Sequence, residues 1–398
     1  MKKISIISLL FSTALASATT LSSSQELTGN VVLNDVLDIT GSGTLTMGDY
    51  TYSLRNVTTD FNLVSISDGV DYTLDGKTYL TGNLEKSGWF KFSIGEGATL
   101  RITDLDLSKM TNSYINDKGN KAHYRTGTGW YGKETTDQTK YGVVYLGSTD
   151  ADAFSNGSID NDELWLNYVN LHATSGISYG YIHFQFGCVF TVETDNVRIG
   201  TIAVRQPNSS STTYNKDDAF SGKIDLNGYS MYTDGITFNP SATKATLEEC
   251  PYVDFYIDFG ENTKSQYIYL RTLTESGYNA TTKVFHNDFS KNKLFIENLE
   301  KDDFVVFGDD ITTLISDGLT KSTLLNVLSQ ILYVNGKAIN SEDAVKDLLV
   351  KLTAEDLEKY GFTDTTLIGK WAVIPEPSTY AMILGAIALG FVAYRRRK

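Results

Sequence analysis

Asp104 and Asp106 sit two positions apart in Thr-Asp-Leu-Asp-Leu-Ser. On a strand they would share a face, with their carboxyl groups about 7 Å apart. That separation suits the acid and base of an inverting glycoside hydrolase, or an oxygen-rich calcium site. No basic partner can be set beside them from sequence. Asp254 and Asp258 also share a strand face, with Tyr256 between them, but lie about 13 Å apart, too far to work as a pair. Gly176-Ile177-Ser178-Tyr179-Gly180 has the spelling of a nucleophile elbow, which needs a helix after it. The alternating residues 181–186 read as a strand, so a glycine-rich turn is the better account. Asp150, Asp152, Asn156, Asp160 and Asp162 crowd one acidic stretch. An EF-hand loop wants Asp or Asn at its fifth position and Gly at its sixth, where this chain has Phe154 and Ser155. An irregular calcium-stabilised loop and a solvated acidic loop both fit. No other cofactor is implied. His123, His172, His183 and His286 show no ligand spacing, and no phosphate-binding or dinucleotide loop is present.

Three aromatic residues, Tyr124, Trp130 and Tyr131, stand in a polar stretch at 111–140 that reads as one long loop. Aromatic rings pack on the C–H faces of sugars, so these are the candidate glycan contacts; anchoring of the loop is the plainer account. Cys188 and Cys250 are the only cysteines. Paired, they would stabilise the fold by about 4 kcal/mol in the chain-entropy model; two separate buried thiols fit equally well. Their wide separation excludes a zinc finger.

These residues must be positioned by extended structure. The chain has 33 Gly, 5 Pro and 43 Tyr plus Phe. Short segments alternating at period two run from 30–40 to 267–273, punctuated by glycine. The spacing predicts a mainly β body at 19–310, with no helix before 320. A loose cadence of small residue, strand and turn recurs at Gly43, Val70, Gly97 and Gly222. That cadence resembles the β-solenoid, or β-helix, passenger regions of autotransporter-like surface proteins, whose coils stack to cover one another's apolar faces. A β-sandwich or jelly roll predicts the same short strands.

From 311 to 374 the texture changes to a small α+β module. Leu324, Val327, Leu328 and Ile331 have helical spacing, and Asn335-Gly336 suits a type I′ hairpin. Ser341 caps a second helix carrying Val345, Leu348, Leu349 and Leu352 on one face. Thr353 to Asp356 reads as a capping box, with Gly361 as the C-terminal stop. Closing the open end of the β body is the expected role of this module; an independent spacer is the alternative.

The two ends carry addresses. Lys2 and Lys3, the apolar run 4–15 and small-x-small sites at Ala14–Ala18 read as a signal peptide over 1–18, to be cut by signal peptidase. At 375–398 stand Pro375, Glu376, Pro377, Ser378 and Thr379, then an apolar run at 380–394, then Arg395, Arg396, Arg397 and Lys398. Prolines hold the knot extended and accessible. The apolar run makes a hydrophobic helix about 22 Å long against a hydrocarbon core of about 30 Å, and the cations favour the cytoplasmic side. This window closely resembles the PEP-CTERM sorting signal of bacterial exported proteins. The resemblance implies processing by an exosortase-type membrane transpeptidase, transient hold by the inner membrane, and release or transfer to a cell-surface or extracellular glycan layer.

The formal charge is −14. Six cations and Glu376 belong to the terminal segments, so the body between carries about −19. Such a body repels nucleic acid, and no nucleic-acid partner is expected. The expected function is a structural or adhesive surface or matrix protein and not an enzyme. The alternatives are a glycan-binding module, with extracellular polysaccharide as partner, and a β-solenoid polysaccharide lyase or hydrolase.

Overall fold

Period-two alternation separates an apolar face from a polar one, and strands so patterned lie side by side with their apolar faces on a common core. In the computed structural model they do so mainly in parallel. The structure describes residues 19–56, 63–83, 90–106, 110–111, 113–115, 121–123, 127–131, 137–147, 181–185, 188–194, 197–205, 217–239, 252–261, 264–270, 273–275, 278–279, 284–285, 289–300, 302–308, 324–363 and 365–373.

Two large open sheets dominate. In sheet 1 the order is Thr19–Leu21, Leu37–Ile39, Val64–Ile66, Phe90–Ile94, Gly127–Tyr131, Tyr181–Gln185, Val197–Arg205, Met231–Asn239, Tyr267–Leu270, Phe304–Phe307, Trp371–Val373 and Leu349–Lys351. Sheet 2 runs Gln25–Glu26, Gly43–Thr46, Asp71–Asn83, Thr99–Asp106, Gly142–Leu146, Cys188–Val192, Ala219–Asp225, Tyr252–Asp258, Asn292–Glu297, Leu332–Val334 and Lys337–Ala338. Pairing in both is parallel as far as Phe304–Phe307 and Leu332–Val334. A sandwich or jelly roll would pair antiparallel neighbours, so that alternative does not describe these sheets.

The chain alternates between the sheets, and each visit adds a strand beside the previous one. Side chains at the corners tie one visit to the next. Ser24 Oγ accepts the Thr44 N–H at 3.1 Å, Ser42 Oγ accepts Asp71 N–H at 3.0 Å, and Asp68 Oδ1 accepts Glu96 N–H at 2.8 Å. At Gly43 the glycine cadence has a steric cause: a Cβ there would stand 2.5 Å from the Ser24 nitrogen. Gly76 is required twice over. Its φ is +132°, and a Cβ there would stand 2.6 Å from that of Met47. At this bend Asp71–Asn83 passes from pairing with Gly43–Thr46 to pairing with Tyr52–Asn56.

Inward residues such as Leu74, Leu100, Val144, Ile224, Phe255 and Leu294 are buried and join one continuous core. Burying each large apolar side chain contributes about 1.5–3 kcal/mol.

Three expectations about segment boundaries are corrected. The 30–40 stretch, read as one strand, is two, Val31–Leu33 and Leu37–Ile39. The 111–140 stretch is not one long loop. It holds Gly127–Tyr131, which pairs in parallel on both sides, and a small hairpin of Ser113–Ile115 with Lys121–His123. The second helix ends at Leu348, and Leu349–Lys351 turns into a strand.

The C-terminal module is continuous with the body. Helices Leu324–Ile331 and Glu342–Leu348 bury Val327, Leu328, Ile331, Val345 and Leu348 in the main core. Between them, Leu332–Val334 extends sheet 2, and the Asn335-Gly336 turn has φ of +47° and +79°, as a type I′ hairpin demands. Ser341 and Thr353 cap their helices as expected, Thr353 in a full capping box with Asp356. Trp371–Val373 then runs antiparallel to Phe304–Phe307. A second core of Tyr269, Phe304, Val306, Leu352, Leu357, Leu367 and Ala372 covers the outside of sheet 1 there. Among the described residues no helix is long and apolar enough to cross a membrane; 374–398 lie outside them.

Candidate functional site: the outer face of sheet 2

Asp104 and Asp106 do share a face. A register shift between Ile102 and Asp104 matches the Gly76 bend, where Thr103 Oγ1 accepts the Gly76 N–H at 2.9 Å. That shift sets Asp104 beside Lys77. The Lys77 ammonium lies 3.1 Å from Asp104 Oδ1 and 3.8 Å from Asp106 Oδ2. Burial works to lower the Lys77 pKa, but the Asp104 hydrogen bond and the two carboxylate charges outweigh it and raise it. A cation thus compensates both acids.

The richer outward surface lies on Ala219–Asp225, Tyr252–Asp258 and Asn292–Glu297. Phe220, Ile224, Val253, Phe255, Ile257, Leu294 and Ile296 point inward. The intervening side chains form three rows across the strands. The first row is Ser221, Asp254 and Lys293; the second is Lys223, Tyr256, Phe295 and Tyr333; the third is Asp225, Asp258 and Glu297.

In the first row the Tyr141 and Ser221 hydroxyls are 2.6 Å apart. Asp254 is 6% exposed and its Oδ1 has no hydrogen-bond partner. Burial pushes its pKa up to about 6, with the Lys293 charge opposing. Burial and the Asp254 charge also push Tyr256 up to about 12, while its hydrogen bond with Gln138 opposes. Gln138 and Tyr141 belong to one turn, so the segment 137–141 lies over this face.

The second row is an aromatic ladder. Tyr256 and Phe295 stack at 4.5 Å with planes 7° apart, and Phe295 meets Tyr333 at 4.7 Å. Stacking in this way turns ring faces toward one another along the row. From the second row Lys223 reaches the third, its Nζ 2.5 Å from Asp258 Oδ2 and 3.4 Å from Glu297 Oε2. Burial alone would raise Asp258, but hydrogen bonds from Lys223, Asn298 and the Gly260 N–H hold it below the usual carboxylate range. Asp225 is raised by burial and by the Asp258 charge. Farther along sheet 2, Arg101 pairs with Glu193 and lies 4.2 Å above the Tyr145 ring.

Asp254 and Asp258, four residues apart along one strand, are too far apart to act as an acid–base couple. Asp254 can store a proton; Lys77, Lys223 and Arg101 tie neighbouring strands. Asp303, also raised to about 6 by burial, receives the Gln266 and Glu300 N–H groups and holds a corner. Among the described residues no group of three or more His, Cys, Asp or Glu could hold a metal ion.

Of the residues singled out from sequence, Trp130 and Tyr131 lie in strand Gly127–Tyr131 rather than in a loop. Cys188 is a buried free thiol, its pKa pushed up to about 12 by burial. Cys250, Tyr124, the acidic 150–162 stretch, Gly176–Gly180, the signal peptide, Pro375 to Thr379, the apolar run 380–394 and Arg395 to Lys398 lie outside the described residues. Sequence reasoning missed Lys77, Tyr141, Ser221, Lys223 and Lys293. One signal was available for Lys223: aligning the turns Asp225-Leu226-Asn227-Gly228 and Asp258-Phe259-Gly260 sets it beside Tyr256. No family model, curated protein or solved structure matches the chain at a significant level.

Proposed function

We propose that this chain is an exported β-solenoid protein of the cell surface or extracellular matrix, with a structural or adhesive role. One observation carries the reading: outward side chains of successive strands are used on each other. Lys77 bridges Asp104 and Asp106, Lys223 bridges Asp258 and Glu297, Arg101 meets Glu193, and Tyr256, Phe295 and Tyr333 stack. Such ladders stiffen a stack of coils. The PEP-CTERM-like tail supplies the address: the inner membrane holds 380–394 until an exosortase acts near Pro375-Glu376-Pro377.

Intact mass and C-terminal peptide mapping of protein recovered from the producing cell's envelope and medium test this. Loss of everything beyond the Pro375 region is expected. A C-terminus still ending at Lys398 in every fraction overturns the processing step. Glycan binding is the second reading, favoured by the aromatic row on sheet 2. It predicts saturable polysaccharide binding that is lost when Phe295 and Tyr333 are replaced by alanine.

A further inference from the structure

Among the described residues four large apolar side chains are exposed: Val32, Tyr50, Ile368 and Trp371. Ile368 and Trp371, at 44% and 40% exposure, both fall in the last six described residues. Trp371 is not on a frayed end. Its strand is paired on both sides, by Phe304–Phe307 and Leu349–Lys351, and the next residues, Ala372 and Val373, are fully buried. Lys351 stands directly opposite Trp371, and directly opposed antiparallel residues share a face. Lys351 is exposed, and its chain runs beside Gly369.

An indole and an ammonium paired across two strands, with an exposed aliphatic side chain three residues before the indole, match the headgroup layer of a bilayer. Indoles favour the boundary between apolar and wet zones, and lysine keeps its charge at the headgroups while its stem lies lower. The chain places this patch close to such a layer. Six residues separate Val373 from Tyr380, where the apolar run begins. Fully extended, the seven steps from Val373 to Tyr380 reach about 25 Å. The acidic body is repelled by anionic lipid, so contact is confined to a patch that carries a cation.

We propose that Ile368, Trp371 and Lys351 seat the C-terminal module on the anionic membrane surface before the tail is processed, setting the height at which Pro375-Glu376-Pro377 is presented. This rests on the reading of 380–394 as a membrane anchor. The partner is the lipid surface itself.

The test incorporates the full chain into phosphatidylethanolamine–phosphatidylglycerol vesicles, with and without brominated acyl chains, and compares its fluorescence with that of Trp371→Phe. Quenching by brominated lipid is expected, with most of it lost in Trp371→Phe. Lys351→Gln should reduce quenching in these vesicles but not in purely zwitterionic ones. Equal quenching of wild type and Trp371→Phe, both floating with the vesicles, overturns the proposal alone. A full chain that does not float with vesicles overturns the anchor reading and the proposal with it.

Discussion

Asp254 and Asp258 lie four residues apart on one strand and face the same way, yet their surroundings pull them in opposite directions. Asp254 sits between Ser221 and Lys293 under the 137–141 turn, with one oxygen unpartnered and its pKa raised to about 6. Asp258 receives the Lys223 ammonium, the Asn298 amide and the Gly260 N–H, and is lowered. Residue type and strand are the same. The difference comes from what the two neighbouring strands place beside each carboxyl group, and from whether hydrogen bonds replace the water lost on burial.

The largest expected effect breaks the Asp254 side of this contrast. The folded chain holds the Asp254 proton more tightly than the unfolded chain does. Stability therefore falls as pH rises from about 4 to about 6, and stays low above that. Asp254→Asn keeps the neutral shape and should remove this slope. It should exceed wild type by about 3 kcal/mol near neutral pH and equal it near pH 4, read by denaturant unfolding across pH. A variant less stable than wild type near neutral pH would show that the ionised carboxylate has a partner.

Lys223→Ala breaks the other side, at a cost of about 2 kcal/mol near neutral pH, because Asp258 and Glu297 lose their shared cation in a half-buried place. The Asp258 contribution is present above the ordinary carboxylate range and is lost as pH falls through its lowered value. The Lys223→Ala deficit should thus shrink on acidification in the same pH series. A deficit constant with pH would mean that the lysine stem, rather than its charge, does the stabilising.

Tyr141→Phe is the smallest test and sharpens the comparison. Losing the Ser221 partner should cost about 1 kcal/mol. The slope between about pH 4 and 6 should persist, because burial rather than the phenol raises Asp254. A vanished slope in this variant would transfer the cause to the hydroxyl.

Local signals were legible where a single residue determines geometry. Asn335-Gly336, Ser341 and the Thr353–Asp356 box all stand as read, because turn and cap chemistry is local. Strand Gly127–Tyr131 was not legible. Two of its five residues are glycine, which favours loops, and its place is set by pairing with Phe90–Ile94 and Tyr181–Gln185. The partners of the acids were hidden for the same reason. Lys77 precedes Asp104 by 27 residues and Tyr141 precedes Ser221 by 80. Only the register of stacked strands brings them together, and a one-residue slip would turn each to the other face.

The parallel pairing has a consequence for how the protein comes into being. Each new strand finds its template in one already made, 27 residues back for Val64 on Leu37 and 46 for Val189 on Val143. Synthesis delivers the N-terminal strands first, so structure can accumulate in the order of translation. At any moment one advancing edge is sticky, and each addition covers the last. Trp371–Val373 breaks that order: it arrives in the opposite direction and enters between Phe304–Phe307 and Leu349–Lys351, both made before it. The last described step in sheet 1 is therefore the filling of a gap between two strands already in place, not the addition of one more strand to an advancing edge.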